Sequence, residues 1–188
     1  AASLNALHAS ERAAGVRYCG LGMHPYARWQ DQRITPRARP QEVAHELQSI
    51  GQRAAVFGLH VHVGMRSGAR AVAILHALVP ALPILLALSA NSPYCESQDS
   101  GLASMRRQVL ASMPRTGLPP PATSWTQWVA LVEQLHASGH ISGFRDLWWD
   151  ARLNPAYGTL EVRICDMPST LDEVVALAAT VNAPANFA

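Results

Sequence analysis

Residues 56–65, VFGLHVHVGM, alternate strictly between apolar and other side chains. A period of two puts successive side chains on opposite faces of a strand. Phe57, Leu59, Val61, Val63 and Met65 then make a face suited to a core, and Gly58, His60, His62 and Gly64 make the other. Residues 157–167, YGTLEVRICDM, repeat the design. Leu160, Val162 and Ile164 face a core there, with Thr159, Glu161, Arg163 and Cys165 opposite. Residues 16–23, VRYCGLGM, and 144–152, FRDLWWDAR, read as two further strands.

Elsewhere the period lengthens. Val43, Leu47, Ile50 and Ala54 recur at helical spacing from Gln41 onward. Residues 71–90 are almost wholly apolar, long enough by themselves for a membrane span. Pro80, Pro83 and His76 interrupt that run and no aromatic or basic belt flanks it, so a buried, kinked helix is expected. Residues 1–14 read as the end of a helix, 89–101 as a polar loop, and 102–121 as a short helix running into a proline-rich connection. Ser124 with Gln127, and Thr170 with Glu173, form capping boxes, and Gly139 is a natural helix stop. Two neighbouring strands near the end suggest an antiparallel pair. The order predicts an α+β fold, a mainly antiparallel sheet with helices packed on one face. At 188 residues the chain is the size of one domain.

Composition narrows the chemistry. Hydrophobic residues make up 49% and charged residues 15%, which supports a folded core. A net charge of +2 without a basic block gives no footprint for nucleic acid. All 15 basic residues are arginine, which excludes a P-loop lysine, a Schiff base and a lysine general base. Cys19, Cys95 and Cys165 are widely spaced and odd in number, so a reducing cytoplasm is expected rather than a disulfide framework. Residues 1–15 read as the end of a helix already under way, so a signal peptide is not expected there.

The two alternating strands carry the candidate chemistry. Two imidazoles bracketed by glycines leave space above the backbone for an ion or phosphates, or else belong to an ordinary strand surface. Glu161 can hold a hard cation through oxygen and Arg163 can clamp a phosphate, or the two form a solvated ion pair. A zinc hydrolase would need a third ligand and a general base, and no HExxH motif is present. If both polar faces belong to one sheet, they converge on a site suited to phosphoryl transfer.

LGMHPYARW, GLHVHVG, LSANSPY, ASMRR and LWWDARLNPAYGTLEVRICDMPSTL, in this order and spacing, resemble the type 2 glutamate–cysteine ligase family. The likeness is greatest to its bacterial carboxylate–amine ligase branch and runs from about Gly15 to Val181. The same two strands also resemble the glutamine synthetase catalytic sheet. The resemblance implies an ATP-dependent ligase that phosphorylates a carboxylate, often the γ-carboxyl of glutamate, before an amine attacks the acyl phosphate. It implies ATP and Mg²⁺ as cofactors, a small carboxylate and an amine such as cysteine as substrates, and a homodimer. Carried over, His60 and Glu161 would ligate magnesium, His62 would lie near the nucleotide phosphates, and Arg163 would stabilise the transferring phosphoryl group. Arg106 would stand near phosphate or substrate; His24, Trp148 and Asp150 match family positions, with a substrate-side or supporting role. The family's Gly-x-Glu-x-Glu strand is not found, and its helices continue past the last residue here. The expectation is therefore a single catalytic domain over 1–188, an internal piece of a longer chain. The alternative is a non-catalytic or regulatory remnant that binds a nucleotide or small acid.

Overall fold

Residues 2–187 are described by the computed structural model. In chain order they form α1 (Ala2–Ala14), α2 (Ala38–Gln52), β1 (Val61–Gly64), α3 (Gly68–Leu78) and α4 (Leu82–Ser89). A hairpin β2 (Tyr94–Cys95) and β3 (Gln98–Asp99), α5 (Met105–Ala111) and β4 (Thr116–Gly117) follow. The remainder is α6 (Trp125–Ala137), β5 (Trp148–Trp149), β6 (Ala151–Asn154), β7 (Thr159–Val162) and α7 (Leu171–Phe187).

The central sheet has the order β1–β7–β6, and both pairings are antiparallel. Its register aligns Val61 with Val162, His62 with Glu161, and Arg152 with Glu161. Because side chains alternate, that register fixes one apolar and one polar face. Val63, Leu160, Val162, Ala151 and Leu153 are buried on the apolar side, with α3, α4, α6 and α7 contributing to the same core. This is an α+β arrangement of helices and antiparallel sheet, as the sequence predicts.

Local signals explain most helix boundaries. The Ser67 hydroxyl accepts from the Arg70 N–H and starts α3. The apolar run breaks into two helices around a 3₁₀ turn, Val79–Ala81, with Pro80 and Pro83 at starting positions where no N–H is required. Leu75, Leu78, Leu82 and Leu85 of this run are buried in the core. The span Gly68–Ser89 is nonetheless long and apolar enough, by composition, to cross a membrane. Thr170 and Glu173 exchange both bonds of a capping box at the start of α7. At α6 the Ser124 hydroxyl accepts from the Gln127 N–H, but the Gln127 side chain returns to Thr123 instead. Gly139 closes α6 at φ +73°, where a side chain would be strained.

Four expectations fail. Residues 16–22 form no strand; Met23 alone makes a bridge, to Val56. The stretch 144–152 divides into a 3₁₀ turn, Phe144–Asp146, then β5 and the start of β6, because β5 pairs with β4 in a separate small sheet. Phe57 is 53% exposed, since the chain ahead of Val61 leaves the ladder and keeps only bridges at Val56 and Gly58. Cys165 is fully buried with Ile164. Beyond Val162 the chain runs against α4, with the Cys165 thiol 4.0 Å from the Leu85 carbonyl oxygen, so both of its sides are covered.

Candidate active site

The register brings His60, His62, Glu161 and Arg163 together on the polar face. His60 Nδ1 lies 3.5 Å, and His62 Nε2 3.9 Å, from Glu161 Oε1. Arg163 Nη1 donates to Glu161 Oε1 and lies 3.3 Å from His60 Nδ1. From the other side of β7, Arg152 Nε donates to Glu161 Oε2 at 2.9 Å and Asn154 Nδ2 at 3.2 Å. Arg152 and Asn154 escaped the sequence reading. Their signal was present: in ALA-ARG-LEU-ASN order, residues 151–154 alternate as the other two strands do. His62 Nδ1 is 2.9 Å from the Thr159 hydroxyl, and its ring meets Tyr157 edge-on.

The electrostatics follow from this crowding of cations. Burial pushes the Glu161 carboxyl up, but the Arg152 bond and the Arg163 charge outweigh it and hold the pKa at about 2. Desolvation, followed by the Arg163 charge, lowers His60 to about 4, so its ring is neutral at pH 7. Burial, then the Arg152 charge, lowers Arg163, which as a guanidinium remains protonated.

A neutral imidazole and an ionised carboxylate suit a divalent cation, yet they supply only two donors, and guanidiniums already engage both carboxylate oxygens. Among the described residues no group of three or more His, Cys, Asp or Glu is placed to hold a metal ion. The donor set fits Mg²⁺ only as an anchor, because that ion keeps waters or phosphate oxygens in its other positions.

Beside this face opens a cavity of about 1530 Å³, whose lining includes His60, Arg163, Arg106, Arg39, Trp148 and Asp150. Arg106 is 3% exposed. Its guanidinium donates to the carbonyls of Ile164 (2.9 Å) and Arg163 (3.0 Å) and pairs with the buried Asp166 at 3.5 Å. It therefore holds the backbone that carries Arg163. Trp148 lies under the Arg115 guanidinium, 4.9 Å from ring centroid to carbon. His24 belongs elsewhere: it lines a separate cavity of about 560 Å³, and its Nδ1 accepts from the Tyr26 and Ala27 N–H groups.

α2 forms one wall of the large cavity through Val43 and Ala44 and contains no buried residue. Two ion pairs hold it, Arg39 with Asp146 and Glu46 with Arg115.

The family described as Glutamate-cysteine ligase family 2 (GCS2) matches residues 1–186. A protein of Frankia alni named "Putative glutamate--cysteine ligase 2-1" is 45% identical over 165 residues, 88% of this chain and 43% of its own. Proteins named "Putative glutamate--cysteine ligase 2" are 41% identical over 170 residues in Gloeobacter violaceus and 40% over 180 residues in Bordetella avium. These alignments cover 90% and 95% of this chain and 46% and 45% of the relatives. The chain thus spans a little under half the length of these relatives. It belongs to the glutamate–cysteine ligase family 2.

Proposed function

From this membership we propose that the protein is an ATP-dependent carboxylate–amine ligase. It joins a carboxylate, the γ-carboxyl of glutamate, to an amine such as cysteine through an acyl phosphate. The observation that carries the reading is the convergence of His60, His62, Glu161, Arg163 and Arg152 on one face of the β1–β7–β6 sheet, beside a large arginine-lined cavity.

The residues divide the work. Arg163 is held by Glu161, with its backbone held by Arg106, so its fixed positive charge is ready for the phosphoryl group in transfer. Most of the acceleration in phosphoryl transfer comes from such positioning and charge neutralisation. His62 would lie near the nucleotide phosphates. His60 and Glu161 would hold Mg²⁺, which when bound neutralises charge on phosphate oxygens. Arg152 keeps Glu161 ionised and oriented. The family's wider assembly is taken to be a homodimer, supported by Ile84 and Leu88, 61% and 65% exposed on one side of α4. The unpaired thiols of Cys19, Cys95 and Cys165 support a cytoplasmic setting.

The test is ADP release from ATP by the full-length protein with glutamate and a panel of amines, with and without magnesium. Glutamate- and magnesium-dependent release is expected, together with loss of at least about 100-fold in Glu161→Gln and Arg163→Ala at unchanged folding. Near-normal rates in both variants would refute the assigned roles. A second reading, nucleotide or small-acid binding without turnover, draws on the engagement of Glu161 by two arginines. Tight ATP binding with no ADP release under any amine would establish it.

A further inference from the structure

The molecule has four buried acidic side chains among the described residues: Asp146, Asp150, Glu161 and Asp166. Three are well supplied with donors. Asp146 accepts from the Ser142 N–H and hydroxyl, the Gly143 N–H and Arg39. Asp166 accepts from the Asn91 N–H, the Ser92 and Ser104 hydroxyls and Arg106. Glu161 accepts from Arg152, Asn154 and Arg163. Asp150, 5% exposed, accepts from Arg107 on Oδ2 at 3.1 Å, and that is its side-chain hydrogen bond among the described residues. A buried carboxylate normally has several partners, so the sparse supply at Asp150 asks for another donor.

The surroundings indicate which donor. Of the four, Asp150 is the one that lines the 1530 Å³ cavity. Arg106 and Arg163, whose charges act on Asp150, share the cavity wall with it; Arg33, Arg39 and Arg145 also line the cavity, and its other carboxylates, Glu11 and Asp172, are not among the four buried ones. Arginines attract carboxylates and phosphates and repel an ammonium group; a buried carboxylate among them is the place where an ammonium can bind.

We infer that Asp150 binds the amino group of the acceptor amine and takes its proton. The inference rests on the ligase reading above. In the step, one N–H bond of the ammonium breaks and its proton passes to the Asp150 carboxylate, leaving the electron pair on nitrogen. That pair forms the C–N bond to the acyl carbon, the C–O bond to phosphate breaks, and its electrons leave with the phosphate. The second proton lost from nitrogen goes to the departing phosphate, and Asp150 returns its own to solvent. Burial raises the affinity of Asp150 for a proton, against the opposing charges of Arg107, Arg106 and Arg163, as suits a base of this kind. Arg107 and Arg106 face it from α5, and Arg163 from the segment after β7, whose N–H donates to the Asp150 carbonyl at 2.8 Å.

The experiment separates activation of the carboxylate from capture of the amine. Hydroxylamine is neutral at neutral pH and attacks an acyl phosphate without giving up a proton first. Full-length wild-type and Asp150→Asn proteins are incubated with ATP, Mg²⁺ and glutamate, plus either hydroxylamine or an alkylammonium acceptor, cysteine or methylamine. The inference expects wild-type hydroxamate formation in Asp150→Asn, with coupling of the ammonium acceptors down about 100-fold or more. It is overturned if both reactions survive, or if both fall together with the melting temperature unchanged. If wild type forms neither hydroxamate nor amide, the ligase reading itself fails and this inference falls with it. Should Asp150→Asn not fold, Arg107→Gln serves. Removing that cation raises the Asp150 pKa, so the acid limb of amine coupling moves to higher pH while hydroxamate formation keeps its profile. An unshifted limb overturns the inference.

Discussion

Glu161 and Asp166 lie five residues apart on one extended segment, and both are almost wholly buried. Their surroundings differ in kind. Asp166 is met by short donors, the Ser92 and Ser104 hydroxyls and the Asn91 N–H, and by Arg106, itself 3% exposed. Every partner of Asp166 is fixed, so the cluster joins the 89–92 loop, the start of α5 and the strand end into one unit. Glu161 is met by long side chains, Arg152 and Arg163, and by imidazoles 36–38% exposed. Those partners can change places with a ligand. The same chemical group thus serves as a structural joint in one setting and as the anchor of a reactive face in the other, and the length and exposure of its partners decide which.

The largest test of this contrast is Asp166→Ala. It leaves the buried Arg106 without its counter-charge, and a loss of about 3–5 kcal/mol is expected in denaturant unfolding. A loss of under about 1 kcal/mol would show that the joint is not structural. Gly58→Ala probes the same joint from its other side. A Cβ there would stand 2.2 Å from Arg106 Nη2, in a guanidinium whose Nη2 donates to the Arg163 carbonyl and whose Nη1 donates to that of Ile164, so about 1–3 kcal/mol of destabilisation is expected. Wild-type stability would mean that Arg106 can move aside.

The smallest effect is a pH dependence on the reactive face. Glu161 is held at about 2 against an ordinary 4.5, so the stability it contributes is complete above pH 4.5 and is lost as pH falls towards 2. His60, at about 4 against 6.5, acts in a higher window. The unfolded chain takes up its proton first, so stability declines as pH falls from 6.5 towards 4. In metal-free buffer, His60→Gln should therefore lose less stability than wild type between pH 7 and 4.5, and Glu161→Gln should lose less between 4.5 and 2.5. Parallel curves for wild type and variants would contradict the arrangement of charges on this face.

Much of this was legible along the chain. Alternation in 59–64 and 159–163 gave the polar row, and the same rule applied to 151–154 would have added Arg152 and Asn154. Capping residues and prolines gave the helix boundaries. The reading lost its footing where pairing, not pattern, decides. Residues 16–22 carry strand-like side chains but find no partner strand, and their backbone is satisfied singly, as at Gly22, whose N–H bonds the Asn91 carbonyl. Phe57 follows the apolar alternation yet stands in a stretch that has left the ladder.

The sequence by itself determined the α+β class, the apolar and polar faces of the two key strands, the ends of α6 and the start of α7, because periodicity and capping act over a few neighbouring residues. The tertiary structure alone decided that Arg106 grips the backbone behind Arg163, that Cys165 joins the core, and that Asp150 is left sparsely bonded at the cavity wall. Those outcomes depend on which groups from distant parts of the chain reach a buried charge, and no local spacing encodes the number of donors that will arrive.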